Sequence, residues 1–555
     1  MEHQCFRAGL FDELTAIYPD TDASEGVERY GVAAASGSYA GVHIMLGHLQ
    51  VGLPVVFEIR GPHERYKLFE LAAVPVEVNS GAEYRAEPID GKYNPHVIRR
   101  APFLVYDALK PFQNVVAAAG VSMAFAFRCA VQTKEHLCQP WEIEITHAGT
   151  TKKLLLEVDA FTTVVPPAGK DTHKYVNWFS DDTLEIEHLA APYTSRWYKL
   201  LESYLRTAHY GRQNMLTLRT EWMFDCDESD APKLNATRLD KIISIADKCG
   251  LYWLCGGDFL RRNPQDPQIK TAVTFFGNQL IPGNGEALLA QMAQEVYRYV
   301  CDRGLKARWM QSLMDEPLNC HADVWKQGAE ILHQAMPQIP LLQATIARES
   351  IAGAIDIWCP TVDKFDKFYD FFQERTKRGE RLFVYTCLQP AGKYCNRLLD
   401  MERVRVVWLG WAPAKYPEIE GFLHWGGNWF GSAEMEGVWH TFEPCYLGGG
   451  IDGSVEYNVD KHMCLPAGDG AVMYPGHEDA LPSVRLEAQR IGLEDLCLLE
   501  QLKAIDPAKT DMLVNMVFRG YADYELSVER YRRVKRDLLS ALEPDEGIVV
   551  NDEIF

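Results

Sequence analysis

The sequence lacks the short motifs that mark common nucleotide, metal and serine-hydrolase sites. It has no G-x-x-x-x-G-K-[ST] loop, and no predicted strand is followed by G-x-G-x-x-G, so we expect no nucleotide cofactor. It also has no C-x-x-C pair, no His-x-x-x-His pair and no Cys/His cluster, which argues against a metal. A G-x-S-x-G nucleophile elbow is missing as well. We therefore predict a protein without cofactor or metal, in which any catalysis comes from ordinary side chains.

Positive charge is scarce. The 555 residues contain 56 Lys and Arg against 77 Asp and Glu, which gives a net charge of 56 − 77 = −21. This excess of carboxylates argues against a nucleic-acid partner and against docking on anionic lipid. The longest apolar stretch, residues 115–127, is too short to span a bilayer.

Features of a secreted protein are also missing. The N-terminus shows no basic start followed by an apolar run, so no signal peptide is visible. The 14 cysteines are scattered, which favours reduced thiols in the core over disulfides. We therefore expect a cytoplasmic protein, whose oligomeric state the sequence leaves open.

The pattern of apolar residues differs between the two parts of the chain. Residues 1–165 contain short β-branched or alternating runs broken by Gly, Pro and Asn, which predict an N-terminal β-sandwich. A proline-containing connector follows, and from residue 172 to 555 short apolar runs alternate with amphipathic helical segments. Such alternation predicts parallel βαβ units, with a (β/α)8 barrel as the first interpretation and a doubly wound sheet as the second. Candidate helices include 238–248, 284–303, 324–335, 364–377 and 402–409, and two more end the chain at about 484–502 and 524–542.

The best candidate for a catalytic pair is Asp315-Glu316, at the end of the apolar run that begins at Ala307. Function in a barrel gathers at the carboxyl ends of strands. Adjacent carboxylates resist joint ionisation, so one of the pair suits a general acid at neutral pH. Pro317 is expected to hold Glu316 extended and to stop the strand. The alternative is that one of the two carboxylates simply caps the following helix.

Other predicted strand ends carry residues suited to binding sugars. Aromatic faces stack on pyranose rings, and Asn, Asp, Gln and His hydrogen-bond hydroxyls. Each tryptophan taken alone is more often a core residue, so the prediction depends on how many fall at strand ends. The predicted substrate-binding residues are Trp253, Asp258, Asp356, Trp358, Tyr385, Gln389, His424, Trp425, Asn428 and Trp429.

Five motifs in the same order resemble the DUF4091 domain, the catalytic region of glycoside hydrolase family 123. They cover about residues 310–500, and Tyr175-Val-Asn-Trp-Phe also looks like the family's entry into its barrel. The motifs are Met314-Asp-Glu-Pro, Tyr385-Thr-Cys-Leu-Gln-Pro-Ala-Gly, Asn396-Arg-Leu-Leu-Asp, Gly421-Phe-Leu-His-Trp-Gly-Gly-Asn-Trp, and Gly468-Asp-Gly-Ala-Val-Met-Tyr-Pro-Gly with the run after Pro482.

The resemblance implies an exo-acting, retaining β-N-acetylgalactosaminidase with a β-sandwich and a (β/α)8 barrel. By analogy with the family, Asp315 would orient the 2-acetamido group of the substrate, whose oxygen attacks the anomeric carbon. Glu316 would protonate the leaving oxygen and then activate water. Such a mechanism needs an acid/base and an anion beside the developing positive charge, but no nucleophilic carboxylate.

Two alternatives remain open at this point. The first is a glycosidase of the same barrel acting on a sugar without an acetamido group, with Glu316 as the acid and Asp356 or Asp258 as the second carboxylate. The second is a carbohydrate-binding protein without catalysis. Its pocket would have no need of two adjacent acids. In each case the expected partner is an oligosaccharide or glycoconjugate.

Overall fold

The computed structural model describes residues 5–76, 78–82, 93–225, 232–262, 273–275, 278–279, 284–430 and 466–543. The strands are β1 (Arg7–Asp12), β2 (Arg29–Ser36), β3 (Tyr39–Gly47), β4 (Pro54–Arg60), β5 (Tyr66–Val76), β6 (Phe103–Pro111), β7 (Val115–Ala117), β8 (Ser122–Ala130), β9 (Leu137–His147), β10 (Thr150–Val164), β11 (Lys174–Asn177), β12 (Met215–Leu218), β13 (Phe224–Asp225), β14 (Lys233–Leu234), β15 (Trp253–Gly256), β16 (Arg261–Arg262), β17 (Val273–Phe275), β18 (Asn278–Gln279), β19 (Trp309–Gln311), β20 (Leu342–Ala344), β21 (Ile357–Cys359), β22 (Arg381–Thr386), β23 (Ile419–His424), β24 (Met473–Pro475), β25 (Ala480–Pro482), β26 (Phe518–Gly520) and β27 (Asp523–Tyr524).

The helices lie almost entirely in the second part of the chain. They are α1 (Asp182–Ile186), α2 (Ser195–Tyr210), α3 (Thr220–Met223), α4 (Ala236–Cys249), α5 (Asn284–Asp302), α6 (Ala322–Ala335), α7 (Val362–Lys367), α8 (Tyr369–Lys377), α9 (Val404–Lys415), α10 (Val484–Ile505), α11 (Pro507–Val517) and α12 (Val528–Leu542). The ends of the two predicted domains, residues 1–4 and 544–555, lie outside the described residues.

The first part of the chain forms two five-stranded sheets, in the orders β1-β3-β8-β5-β6 and β2-β10-β9-β4-β7. Neighbouring strands are antiparallel except for the parallel pair β2 and β10. Side chains alternate across each strand, so β9 buries Trp141, Ile143 and Ile145 and turns the residues between them outward. These three pack in one cluster with Ile44 and Phe125 of the other sheet. The sandwich therefore stays a prediction that the shared core supports.

The second part contains two parallel sheets, one of five strands in the order β11-β23-β22-β21-β20 and one of three in the order β12-β15-β19. An isolated parallel bridge between Gln311 and Leu341 connects β19 to β20. At the other side, the Asn214 backbone N–H, just before β12, donates to the Tyr175 carbonyl of β11 at 3.3 Å. No sheet in the described part of the chain closes on itself by ladder pairing, so the closed barrel also stays a prediction.

Helix α10 is the central helix of the C-terminal part, and nearly all of its residues are buried. It packs closely against α9, where a Cβ on Gly410 would lie 2.4 Å from the Gly492 backbone. Only glycine allows two helices to approach this closely. Both predicted C-terminal helices are present as α10 and α12, although α12 begins at Val528 rather than near Tyr524. The predicted helix 364–377 is instead two helices, α7 and α8, which meet at Phe368.

A set of buried charges, here called the interface cluster, joins the N-terminal sheets to α10 and α12. Arg532 contacts Asp12 at 2.7 Å and Glu13 at 3.1 Å, across 520 and 519 residues of sequence. Burial raises the pKa of Asp12, but the Arg532 charge and hydrogen bonds outweigh it, so the pKa lies below its ordinary value. The cluster consists of Asp12, Glu13, Arg128, Glu487, Arg490, Glu494 and Arg532.

Candidate active site

A cavity of about 790 Å³ opens where several parallel strands end. Its walls come from the carboxyl ends of β11, β12, β15, β19, β20 and β23 and from the residues that follow them. The lining residues are Trp178, Phe179, Ser180, Asp182, Thr217, Arg219, Thr220, Glu221, Cys255, Gly257, Asp258, Leu260, Ser312, Asp315, Leu342, Ala344, Leu423, Trp425 and Trp429. The arrangement agrees with the rule that sites in parallel α/β structures lie beyond the carboxyl ends of the strands.

Asp315 lines this cavity, and Glu316 follows it in an unusual backbone conformation. Glu316 has a φ of 45°, in the left-handed region that a non-glycine residue seldom occupies. Its backbone N–H donates to the Ala344 carbonyl at 3.2 Å, and the Ala347 N–H donates to the Pro317 carbonyl at 2.9 Å. The segment is thus fixed to the loop after β20. The expectation that Pro317 holds Glu316 extended is wrong, because these bonds turn the chain instead.

Tyr385 of β22 supplies a hydroxyl to the same carboxylate. The Tyr385 O–H donates to Oε1 of Glu316, and the tyrosine side chain is buried. Burial, together with the Glu316 charge and hydrogen bond, raises the pKa of Tyr385 well above its ordinary value, so the phenol keeps its proton. One oxygen of Glu316 is therefore oriented by a neutral hydroxyl donor.

The strand before Asp315 is shorter than the sequence suggests. The run from Ala307 to Met314 predicts one strand, but β19 ends at Gln311. Beyond it, Oε1 of Gln343 accepts hydrogen bonds from the backbone N–H groups of Leu313 at 3.0 Å and Met314 at 2.9 Å. A side chain of β20 thus replaces the ladder partner, and this turns Asp315 into the cavity.

Asp258 reaches the cavity from the end of β15, as predicted. The hydroxyl of Ser312 donates to Oδ1 of Asp258, and the hydroxyl of Thr220 donates to its backbone carbonyl at 2.6 Å. The segments that follow β12, β15 and β19 therefore meet at Asp258. Asp258 and Asp315 both line the cavity, so the site holds more than one carboxylate that a substrate can reach.

Trp425 and Trp429 form the aromatic wall after β23. Their ring centroids lie 5.3 Å apart at an interplanar angle of 57°, and both side chains line the cavity. His424 and Asn428, from the same segment, are completely buried. Oδ1 of Asn428 accepts from the Ser180 N–H at 2.8 Å, and its Nδ2 donates to the Ser180 carbonyl at 2.8 Å. Asn428 therefore ties the tryptophan segment to the segment after β11.

The sequence of residues 237–502 matches the family described as "Glycoside hydrolase 123, catalytic domain". A family 123 glycoside hydrolase from Clostridium perfringens, solved to study glycolipid glycan hydrolysis, has a TM-score of 0.70 at 12% identity, with 97% of each chain covered. Residues 237–502 form a family 123 catalytic domain. The chain is a glycoside hydrolase, and a glycan is its substrate.

Two other solved structures overlap only loosely and carry no argument. A β-glucuronidase from Parabacteroides merdae, with glycerol in its active site, has a TM-score of 0.33 at 9% identity, with 82% of this chain and 50% of that chain covered. The exo-β-1,4-mannosidase Op5Man5 from Opitutaceae bacterium strain TAV5 has a TM-score of 0.35 at 9% identity, with 60% and 63% covered. No curated protein matches the sequence.

Seven of the ten predicted substrate-binding residues are not on the cavity lining, which corrects their assignment: Trp253, Asp356, Trp358, Tyr385, Gln389, His424 and Asn428. Trp253 begins β15, where the Lys174 ammonium lies 4.6 Å from its ring centre. Asp356 precedes β21 and accepts from the Leu341 N–H at 2.8 Å and from His333 at 2.9 Å. Both residues are at the amino ends of their strands, opposite the cavity.

The prediction for Trp358 is wrong because of the face of the strand on which it lies. Its neighbours Ile357 and Cys359 face the cluster enclosed by the parallel strands, and alternation therefore turns Trp358 outward. Trp358 is completely buried, and its Nε1 donates to Glu380 at 2.5 Å. Gln389 is partly buried and is not on the cavity lining, although its carbonyl accepts from the Cys387 N–H at 2.8 Å.

The sequence reading missed the cavity wall that precedes the family 123 match. Trp178, Thr217 and Arg219 follow or end β11 and β12. Arg219 binds Asp181 and lies 3.8 Å from Asp182. A signal for Trp178 is present in the sequence, because it lies inside the motif that begins at Tyr175.

Within the residues that the structure describes, no group of three or more His, Cys, Asp and Glu side chains is placed to hold a metal ion. The cysteines of the same residues are all free thiols, and Cys255 is one that lines the cavity. None of the described helices combines the length and the apolar character needed to cross a bilayer.

Proposed function

We propose that this glycoside hydrolase is an exo-acting, retaining enzyme that releases a terminal β-linked N-acetylhexosamine, with N-acetylgalactosamine as the sugar. The observation that carries the proposal is the adjacent pair of Asp315, on the cavity wall, and Glu316, held by the Tyr385 hydroxyl. Neighbouring residues with separate tasks suit substrate assistance, in which one carboxylate faces the acetamido group and the other the leaving oxygen. The glycolipid glycan hydrolysis studied in the Clostridium perfringens relative supports a glycan of this kind.

The proposed reaction has two steps. In the first, Asp315 orients the acetamido group and stabilises its positive charge while the acetamide oxygen attacks the anomeric carbon. Glu316 gives a proton to the leaving oxygen, so the glycosidic bond breaks and an oxazolinium-like intermediate forms. In the second step Glu316 accepts a proton from water, whose oxygen attacks the same carbon and breaks its bond to the acetamide oxygen, so that the acetamido group is restored. Two inversions at this carbon give overall retention.

The parallel strands around the site form the framework of the proposed enzyme. We propose that the five and three parallel strands close into one (β/α)8 barrel beside an N-terminal β-sandwich, with domains at residues 1–165 and 172–555. The bridge between Gln311 and Leu341 and the hydrogen bond between Asn214 and Tyr175 lie at the two places where the parallel sheets meet. Support also comes from one enclosed cluster to which each of these strands contributes a side chain: Val176, Met215, Cys255, Met310, Leu342, Ile357, Phe383 and Leu423.

A second candidate uses a separate carboxylate and a sugar without an acetamido group. Asp258 fits this role, since it lines the same cavity as Asp315. Asp356 does not, because it lies at the amino end of β21 and is engaged by His333 and the Leu341 backbone. In this version Asp258 forms the glycosyl-enzyme bond and Glu316 remains the acid.

Paired aryl glycosides separate the two candidates. The wild-type enzyme is assayed on β-N-acetylgalactosaminide, β-N-acetylglucosaminide and β-galactoside, with and without a thiazoline analogue of the intermediate. Substrate assistance predicts release from the acetamido sugars only and inhibition by the thiazoline. Asp315→Asn should lower kcat by about 10²-fold or more, and the matched Asp258→Asn should change it far less. Release from the galactoside alone, abolished by Asp258→Asn, would establish the second candidate instead.

The proposed cellular setting is the cytoplasm, where an enzyme of this type would act on small glycans. Fractionation of the native host with antibody detection tests this location. Recovery with the medium or the envelope would contradict it.

A further inference from the structure

The position of Trp425 in the cavity wall depends on a buried carboxylate behind it. Nε1 of Trp425 donates to Oδ2 of Asp469 at 2.9 Å. Asp469 is completely buried, although its sequence segment lies far along the chain from β23. Burying a carboxylate in this way is costly unless nearby groups compensate its charge. A buried carboxylate therefore lies directly behind the aromatic wall and accepts from one of its two indoles.

The backbone around Asp469 is pressed against the tryptophan segment. A Cβ on Gly426 would lie 2.6 Å from the Asp469 carbonyl, so only glycine fits there. The Trp429 N–H donates to the Gly470 carbonyl at 2.9 Å, and Asn428 pairs with Ala471. These contacts fix the carboxylate relative to the indole it accepts from, independently of any substrate.

A second donor approaches the other oxygen of Asp469. Nε2 of His424 lies 3.5 Å from Oδ1 of Asp469. Nδ1 of His424 accepts from Arg397 at 2.6 Å and from the Gly426 N–H at 3.1 Å. Burial, with the charges of Arg397 and Arg485, lowers the pKa of His424 well below its ordinary value, so the ring is neutral. Since Nδ1 accepts, the ring proton is on Nε2 and faces Asp469.

Two donors that cannot accept thus converge on one side chain. An indole N–H only donates, and the tautomer of His424 makes its Nε2 a donor as well. A carboxylate accepts on both oxygens, whereas the amide of asparagine must place its own donor against one of the two. Aspartate is therefore the residue type that this position requires.

We propose that Asp469 is a positioning residue that fixes the Trp425 indole, and with it the angle of the aromatic wall formed with Trp429. His424, which accepts from Arg397, faces Asp469 from the core side, and the Trp425 indole donates to Asp469 from the side of the cavity. The inference deepens the proposed function, because it names the residue that orients the sugar-facing wall of the same site. Its structural part holds for any sugar that the cavity binds.

Indole N–H resonances of ¹⁵N-tryptophan-labelled enzyme test the contact without a substrate. The Trp425 resonance is the one that disappears in Trp425→Phe. In the wild-type enzyme it should exchange slowly with water and lie downfield of exposed indoles. A resonance at the position of exposed indoles, with rapid exchange, would overturn the proposal even if no Asp469 variant folds.

Asp469→Asn then tests the role of the carboxylate. The Trp425 resonance should move upfield in this variant. A matched control is Asp495→Asn, since Asp495 is also completely buried and accepts from an indole, that of Trp411 at 3.1 Å. This control should lower Tm and leave the Trp425 resonance in place. An unmoved Trp425 resonance in Asp469→Asn would refute the assignment.

A kinetic cycle connects the contact to catalysis, using whichever aryl glycoside the wild-type enzyme hydrolyses. Asp469→Asn should reduce kcat/KM by about 10-fold or more. In the Trp425→Phe background the same change should cost less than about twofold, because the indole that Asp469 orients is gone. Equal losses in both backgrounds would show that Asp469 does not act through Trp425. If the wild-type enzyme hydrolyses no glycoside, the proposed function fails, and the resonances alone decide the positioning role.

Discussion

Two carboxylates of the candidate site, Asp258 and Glu316, have different partners from the carboxylates of the interface cluster. In the interface cluster Asp12, Glu487 and Glu494 lie 2.7, 2.5 and 2.7 Å from arginine nitrogens. Asp258, on the cavity wall, accepts from the Ser312 hydroxyl, and Glu316, which follows the cavity-lining Asp315, accepts from the Tyr385 hydroxyl. An arginine partner compensates the charge of a buried carboxylate, whereas a hydroxyl partner orients a carboxylate without compensating its charge. The contrast separates charges that hold the fold from charges suited to chemistry.

The largest expected effect is the loss of activity in Glu316→Gln. Removing a general acid lowers kcat by about 10²- to 10⁴-fold. Because Glu316 is only partly buried and its Tyr385 partner can donate to the amide oxygen, Tm should stay close to the wild-type value. Steady-state kinetics and a melting curve on the same preparation measure both. A large fall in Tm would mean that Glu316 stabilises the fold as the carboxylates of the interface cluster do, and would contradict the contrast between the two groups.

The reverse pattern is expected for Arg490→Met in the interface cluster. Arg490 is 1% exposed and binds Glu494 at 2.7 Å and Glu487 at 3.1 Å, so its removal takes away the arginine that binds Glu494 and leaves Arg128 as the arginine that binds Glu487. We expect a loss of about 3–5 kcal/mol in the free energy of unfolding, measured in urea. The kcat of the folded variant should be unchanged at low temperature.

The control for this variant is Arg533→Met. Arg533 pairs with Glu529 at 2.8 Å on the surface, where both side chains are exposed. Its loss should change the free energy of unfolding by less than about 0.5 kcal/mol. Equal losses in the two variants would mean that burial does not determine the value of an arginine partner here.

A smaller effect is expected for Tyr385→Phe, which removes the hydroxyl donor and keeps the ring. A hydrogen bond to a charged group is worth about 1.5–3 kcal/mol, so kcat should fall by about 10- to 100-fold. KM should change little, because Tyr385 acts on Glu316 and is not on the cavity lining. A change in KM without a change in kcat would indicate that the hydroxyl binds substrate instead.

The smallest expected effect concerns Glu187, a carboxylate outside both regions. Its Oε2 is buried without a hydrogen-bond partner, and burial raises the pKa of Glu187 to about 8. The folded protein therefore binds this proton more tightly than the unfolded chain, and stability is lost as pH rises through that value.

Glu187→Gln removes this pH-dependent penalty. Relative to the wild type, the variant should match it at pH 5 and be more stable by about 1–2 kcal/mol at pH 9, a value discounted for partial exposure. Urea unfolding at the two pH values measures the difference. Glu529→Gln, on the surface, serves as the control. A difference that is the same at both pH values would contradict the buried, protonated state.

The strand-end rule predicted part of the cavity wall from sequence. It placed Asp258, Asp315, Trp425 and Trp429 correctly on the cavity wall, because the carboxyl ends of parallel strands meet at one edge. It failed for Trp253 and Asp356, since an apolar run does not show at which residue the paired strand begins. Trp253 begins β15 and Asp356 directly precedes β21, so both lie at the amino ends of their strands, opposite the cavity.

Other parts of the site depend on contacts that no local pattern encodes. Trp358 points outward because its neighbours in β21, Ile357 and Cys359, face the cluster enclosed by the parallel strands. The turn at Glu316 is set by Ala344 and Gln343 of another strand, and the position of Trp425 by Asp469 of a distant segment. Long-range partners of this kind are recognised only when the chain is folded. The alternation of strands and helices, which is local, was predicted far better.

The contact between Arg532 and Asp12 has a consequence for synthesis of the chain. The two residues are 520 positions apart. At roughly 5–20 residues per second, the ribosome delivers Arg532 about half a minute to two minutes after Asp12. Throughout that interval Asp12 and Glu13 lack Arg532, the arginine that binds both of them in the folded protein, because it has not yet been translated. The N-terminal sheets are therefore completed by the last helix, and the newborn protein must keep its first β-strands soluble until translation is almost finished.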